Sequence, residues 1–287
     1  MEWPKFVCPN ERSLLETFQG QTFAVRIRSL DEARCAEANV RECGNTLFCA
    51  ILESVIPLEA IEFSEDQKDI PLALFVTSIG KVRKFAKRLD LMRQSNMRVY
   101  VPANNQENLA GIRILSSLGI HTCAVIDGTG TNWEALIDLM TYAVLGRVPH
   151  ASIQPFDFIA SHYHPEAWTN WGRVYFDDVA EFLHLDAQGR VGLCHKDLME
   201  GRFVAGSVGE IGDPSKFPAI KDRVQSWKRY FLENHPCASC PGWKICLGRL
   251  SAHPPDGCAE FAQEMIQVAR QSKSLQTAPE GPSVWQL

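Results

Sequence analysis

Four cysteines, Cys237, Cys240, Cys246 and Cys258, share a 22-residue window with the spacing C-x2-C-x5-C-x11-C. Thiolates are soft donors that select zinc, copper(I) and iron–sulfur centres. A pair two residues apart can place both sulfurs on one centre, because the intervening turn directs the side chains inward and its amides toward the sulfurs. Pro241 and Gly242 support such a turn, one fixing a dihedral and the other tolerating the next. Structural zinc sites usually pair two short cysteine or histidine knuckles, and only one is present here. A cubane accepts scattered spacing, since each cysteine binds a different iron. The pattern favours one 4Fe-4S cluster, with a zinc ion or unliganded thiols as the competing readings.

Six further cysteines, Cys8, Cys35, Cys43, Cys49, Cys123 and Cys194, lack such spacing. They read as small buried hydrophobes, the alternative being an unorthodox second cluster. Ten cysteines in 287 residues is a high count. The start of the chain has no charged-then-apolar leader, and no stretch approaches the roughly 20 apolar residues of a membrane span. A cytoplasmic protein is expected, and in a reducing compartment cysteine density points to metal or redox chemistry rather than to disulfides. Apolar residues at 45% and charged residues at 22% describe a packed chain of one large or two smaller domains and exclude a disordered or collagen-like one. A net charge of −5 supplies no cationic field for nucleic acid.

The elements that must position the cysteines begin with a β/α rhythm between residues 68 and 150. Pro71–Thr77, Met97–Pro102 and His121–Asp127 read as strands. Gly80–Gln94, a segment opened by Asn104 and Asn105, and Trp133–Leu145 read as helices. Ala151–Gln154 suggests another strand, Thr22–Arg28 an earlier one, and Asn45–Val55 either a helix or a second buried segment. Three or four such units are too few for a closed eight-stranded barrel. The expected fold is therefore α/β, an open partial (β/α) barrel with parallel strands over residues 1–165, followed by a small irregular α+β iron–sulfur module over residues 166–276. That module carries a hairpin, Phe182–Cys194, turning at Asp186–Gly189. Residues 277–287, with Trp285, read as a mobile tail.

The run from Leu185 to Cys258 resembles the SPASM/twitch extension at the C-terminus of radical-SAM peptide and protein maturases. Cys194 would end the family's hairpin, Gly206–Glu210 would stand for its glycine turn, and the C-x2-C-x5-C motif with a distant last cysteine follows. The resemblance implies that Cys237, Cys240, Cys246 and Cys258 ligate the distal auxiliary cluster. The two other positions expected of a proximal cluster hold Ile211 and Leu250, so none is implied and Cys194 is left as a spare thiol. Upstream, the C-x3-C-x2-C motif of the catalytic cluster does not occur, and Cys35-x7-Cys43-x5-Cys49 has the wrong spacing. What the resemblance implies is a degenerate radical-SAM-like protein that binds no S-adenosylmethionine. It would serve a radical-SAM maturase or redox partner as an electron relay or as a scaffold for a peptide substrate. Two other classes stay open, an active enzyme modifying a peptide or protein and a zinc-stapled binding protein.

Other features have bland readings alongside the functional ones. Gly128-Thr-Gly130 could cradle a phosphate but lacks a third glycine and a lysine, so it reads as a β/α turn. His162 and His164, with Asp157 or Glu166, could ligate a metal, although such a pair in an aromatic loop is usually structural. Trp168, Trp171, Tyr175 and Phe176 could line a peptide groove or pack domains together. Lys81–Arg88 and Lys221–Arg229 read as solvated helix faces.

Overall fold

The computed structural model describes residues 3–128, 130–250 and 257–277. Of the expected tail at 277–287, Thr277 is the last residue of the C-terminal helix, while residues 278–287 with Trp285, and Thr129 of the glycine turn, lie outside the described residues. The first part of the chain runs β1 (Lys5–Pro9), α1 (Arg12–Leu15), β2 (Thr22–Ile27), α2 (Glu32–Glu42), β3 (Thr46–Glu53), β4 (Leu72–Phe75), α3 (Val82–Phe85) and α4 (Leu89–Gln94). It continues with β5 (Met97–Pro102), α5 (Gln106–Ser117), β6 (His121–Val125), α6 (Trp133–Leu145), β7 (Ile153–Gln154) and α7 (Phe156–His162). The last part holds β8 (Phe182–Leu185), β9 (Val191–Gly192), α8 (His195–Met199), α9 (Pro218–Val224), α10 (Lys228–Leu232), α11 (Trp243–Cys246) and α12 (Cys258–Thr277).

One nine-stranded sheet organises these elements, in the order β7-β6-β5-β4-β3-β2-β1-β8-β9. Its neighbours pair in parallel except β8 and β9, which form the expected antiparallel hairpin with His184 opposite Gly192. The molecule is thus an α/β protein with a mostly parallel open sheet, an arrangement consistent with a partial β/α barrel. Two features extend the sequence reading. Asn45–Val55 contains a strand, β3, and the parallel run begins at β1, so it holds more units than residues 68–154 reveal. The hairpin also joins the main sheet, because β8 lies beside β1 with Phe6 opposite Leu183. Residues on either side of position 165 therefore share one sheet.

Side chains alternate between its two faces, as strand geometry requires. Phe6, Phe23, Val25, Leu74, Val99 and Leu183 point into the main core with the helices. Val7, Ala24, Cys49, Ile51, Ala73, Tyr100, Cys123 and Phe182 form a second buried cluster on the opposite face. Helix starts follow local capping. Asn105 accepts a hydrogen bond from the Asn108 amide at 2.8 Å, and Asn132 from the Ala135 amide at 3.1 Å. Among the described residues, no helix is long and apolar enough to cross a membrane.

The second face is covered by the chain's own crossing from β7 to β8. Tyr100 Oη donates to the Val174 carbonyl at 3.0 Å, and Tyr175 Oη donates to the Ala124 carbonyl at 2.5 Å. Phe176, at φ +60°, sits among Phe48, Phe75, Tyr100 and Phe182. Of the aromatic set in the sequence, Trp171 and Phe176 are internal packing and Trp168 is half exposed.

On the helical face, Phe23 is fully buried with Phe6 and Phe18 rings at 5.6 and 5.5 Å. Replacing Phe23 by Ala is expected to lower unfolding free energy by about 3–5 kcal/mol, since transfer and cavity terms add. Urea denaturation checks this, and a loss below about 1 kcal/mol would show that the site collapses freely.

Candidate metal centre

The cysteine segment starts where His235 ends a turn after α10. Its Nδ1 accepts the Cys237 amide at 3.1 Å, which fixes the first cysteine, and its ring packs 5.0 Å from that of Tyr230. Residues Pro236–Ser239 make one 3-10 turn, and the Cys240 amide donates to the Cys237 carbonyl at 3.2 Å. Helix α11 then brings Cys246 back, its amide bonded to the Gly242 carbonyl at 2.9 Å.

Two left-handed residues follow, Leu247 at φ +49° and Gly248 at φ +75°. They curl the backbone around Cys246, whose carbonyl accepts the Arg249 amide at 2.9 Å, and the nearby amides of Gly248, Arg249 and Leu250 act to lower its thiol against burial. Successive amides aimed at one sulfur stabilise a thiolate and tune a metal bound to it. Glycine is required at 248 on two counts. A side chain is strained at its positive φ, and a Cβ there would stand 2.1 Å from the Tyr230 ring.

Cys258 opens α12, which packs against α6 and α7. The loop is pressed onto that helix at Gly242, where a Cβ would lie 2.2 Å from the Ala262 Cβ. This contact carries the first three cysteines toward the fourth. Burial is the main cause that pushes the Cys237 thiol up to about 11, followed by the charges of Cys246, Cys240 and Cys258. Burial likewise raises Cys258, with Cys240 adding to it. Cys246 is also raised by burial, against the opposing pull of its three amides. The four thiols therefore lie within electrostatic reach of one another. They cannot all ionise without a cation to offset them, which is the coupling that drives metal sites.

Among the described residues, no three His, Cys, Asp or Glu side chains meet closely enough to hold a single ion. A tetrahedral zinc with Zn–S bonds of about 2.3 Å would need its sulfurs within about 4 Å of each other. A cubane spreads its ligands over four irons and accepts a wider set of sulfurs. The donor set is all thiolate and fits either group chemically.

The remaining candidates do not join this centre. Cys8 points into the helical core, while Cys49 and Cys123 lie on the other sheet face, and burial pushes each of the three up to about 12. Cys35 is exposed on α2 and Cys43 caps that helix, so the N-terminal trio is split between separate surfaces. Cys194 caps α8, with Arg223 Nη2 at 3.9 Å from its sulfur. Ile211 and Leu250 are both buried. His162 stacks on Phe158 at 4.2 Å, the His164 Nδ1 accepts the Glu166 amide, and Asp157 accepts the Ile153 amide. Each has a local structural task.

An aromatic wall beside the cysteines was only partly visible in the sequence. Trp243, the first residue of α11, packs against Trp227 at 5.3 Å and Phe231 at 5.2 Å, and Trp168 meets Trp227 edge-on at 4.5 Å. Arg249 was not foreseen at all. Its guanidinium leaves the loop for Asp177 at 3.1 Å and lies 4.5 Å over the Tyr175 ring.

The raised Cys237 thiol has a pH consequence in metal-free protein. Because its folded value near 11 exceeds the unfolded cysteine value of about 8.5, the folded state holds the proton longer. Stability is fully present below the unfolded value and declines as pH rises toward 11. Iodoacetamide labelling of Cys237, read by peptide mass spectrometry, is expected to accelerate up to about pH 11. A rate that levels off near pH 8.5 would contradict this.

No protein-family model matches the chain, and no curated protein or solved structure matches it.

Proposed function

We propose that the protein is a 4Fe-4S protein of the SPASM type on a degenerate radical-SAM-like scaffold, accessory to a radical-SAM maturase or another redox partner. The observation that supports this reading is the clamped loop, in which four partly buried thiols share one electrostatic neighbourhood and backbone amides near one of them favour its thiolate. Cys237, Cys240, Cys246 and Cys258 would hold the cluster. When bound, it supplies one-electron transfer without an open coordination position, which suits outer-sphere relay or bracing of the fold rather than substrate activation. The chain's own part is to fix the loop through Gly242 and Gly248, shield it with Trp243, and present the sulfurs to backbone donors.

The accessory character is supported by the sheet. Its second face is occupied by Val174, Phe176 and Phe182, so a cofactor lying across it would have to displace buried aromatic packing. The Trp168–Trp227–Phe231 surface, with Trp168 50% and Phe231 42% exposed, is where a peptide or partner protein would rest. Such thiols remain reduced in the cytoplasm, the compartment this reading assigns.

A polar cavity at the end of the sheet favours a second reading, an active enzyme. Anaerobic purification with iron and sulfide quantitation, together with a S-adenosylmethionine and dithionite assay, separates the alternatives. About four irons per chain are expected, lost in Cys240→Ala, with no 5'-deoxyadenosine formed. A colourless protein with one zinc ion would overturn the cluster, and 5'-deoxyadenosine would overturn the accessory role.

A further inference from the structure

Helices α9 and α10 form one nearly continuous helical run. The amides of Gln225, Lys228 and Arg229 each bond to a carbonyl three or four residues back, so the path does not straighten between them. Residues 221–225 are all exposed, and so are Lys228 and Arg229. Three large apolar side chains of the run also face solvent, Val224 and Phe231 at 42% exposure and Leu232 at 81%. Phe231 continues into the ring wall of Trp227, Trp243 and Trp168. Exposed apolar groups that cluster within a polar rim mark interaction surfaces.

Between α9 and the Val179–Ala180 segment lies a groove of about 440 Å³. Pro4, Val179, Ile220 and Val224 supply its apolar wall, and Lys221 and Gln225 its polar edge. The groove's carboxylate, Asp213, is already held by Lys216 at 3.0 Å and by the Ser215 hydroxyl at 2.7 Å. Lys221 has no such partner among the described residues. A ligand in this groove therefore meets carbon surface with an uncompensated ammonium beside it.

The charge of the run is opposite to that of the chain. Residues 218–233 carry Lys221, Arg223, Lys228 and Arg229 against Asp222 and Glu233, two positive charges in excess on a chain of net −5. None of the six forms an ion pair among the described residues. Lys228 donates to the neutral Gln225 side-chain oxygen at 2.7 Å, and Arg223 reaches the Cys194 sulfur at 3.9 Å within the field of Asp197. Lys221, Lys228 and Arg229 are the cations left unopposed.

We infer that the α9–α10 face docks a peptide segment that alternates apolar and acidic residues, one apolar side chain seated in the groove beside Val224 and the carboxylates meeting Lys221, Lys228 and Arg229. Phe231 and Leu232 receive a second apolar side chain. Val224 and Phe231 are seven residues apart, about 10 Å along a helix axis, which an extended segment spans in about three residues. Two acidic residues between apolar ones fit that spacing. A walled groove suits a single side chain, whereas a bilayer requires a broad apolar face, and the net negative charge of the chain opposes an anionic membrane. The inference deepens the accessory reading and rests on it for what the segment belongs to, although the surface contains no cysteine.

Fluorescence anisotropy of a labelled synthetic peptide repeating Leu-Glu-Glu, titrated with the full chain, tests this. The comparison probes are the Leu-Gln-Gln and Leu-Lys-Lys peptides and phosphatidylserine vesicles. Saturable binding of the acidic peptide is expected, about tenfold or more tighter than that of Leu-Gln-Gln and weakening as salt rises. Replacing Lys221→Glu and Arg229→Glu together should weaken it about tenfold or more. Replacing Val224→Ser and Leu232→Ser together should weaken it while leaving the salt dependence in place. All four side chains are exposed, so circular dichroism should show an unchanged fold. No saturable binding, equal affinity for Leu-Gln-Gln, unchanged affinity in either double variant, or tighter binding to the vesicles would overturn the inference. Iron quantitation on the same samples separates it from the cluster reading. Peptide binding by iron-free protein would sustain the inference and remove the cluster, and about four irons per chain without peptide binding would remove the inference alone.

Discussion

Four partly buried thiols within electrostatic reach of one another hold their protons more firmly than isolated ones. Each sulfur that ionises raises the free energy of ionising the next, and burial adds to the penalty, as the elevated Cys237 thiol records. Backbone amides relieve only part of it, and they are gathered at Cys246. In the proposed holoprotein a metal centre would offset the remaining charge and replace the displaced protons. The surrounding backbone and packing fix the cysteine loop. Left-handed Leu247 and Gly248 turn the backbone at Cys246, Gly242 lets α12 close on the loop, and Tyr230 packs on the position where any Cβ at 248 would stand.

The parallel sheet sets the stage without doing the same chemistry. Its helical face is a conventional core, whereas its second face is filled by a segment of the same chain threaded through Tyr100, Tyr175 and Phe176. Beside that filling a cavity opens at the C-terminal strand ends, where charged side chains replace the aliphatic layer. Arg249 connects the two regions, its backbone at the cysteine loop and its guanidinium against Tyr175 and Asp177. Any ligand at the strand ends therefore sits next to the loop that carries the thiols.

Local chemistry was legible in the sequence and long-range pairing was not. Strands β4 to β6 announce themselves because both faces of a central parallel strand are buried, giving unbroken apolar runs. Asn105 and Asn132 cap their helices through contacts three residues away, which a linear reading can find. Strand β3 was ambiguous because a short apolar run has no periodicity of its own to separate strand from helix. Strand β1 was hidden between Pro4 and Pro9, and its pairing with β8 joins segments far apart in the sequence, Phe6 with Leu183. The cysteine spacing could be read because a loop ligates locally. The strand-end cavity could not, since Arg26, Glu53, His184 and Arg249 come from separate elements and only the fold assembles them.

In the proposed cluster the four C-terminal cysteines surround several metal atoms rather than one. X-ray absorption fine structure on protein isolated anaerobically, at the iron and zinc edges, tests it most directly. Iron in an all-sulfur shell with a distinct iron–iron scattering shell at the next distance is expected, both absent when Cys237 and Cys246 are replaced together. A single sulfur shell around zinc with no metal–metal scattering would contradict it.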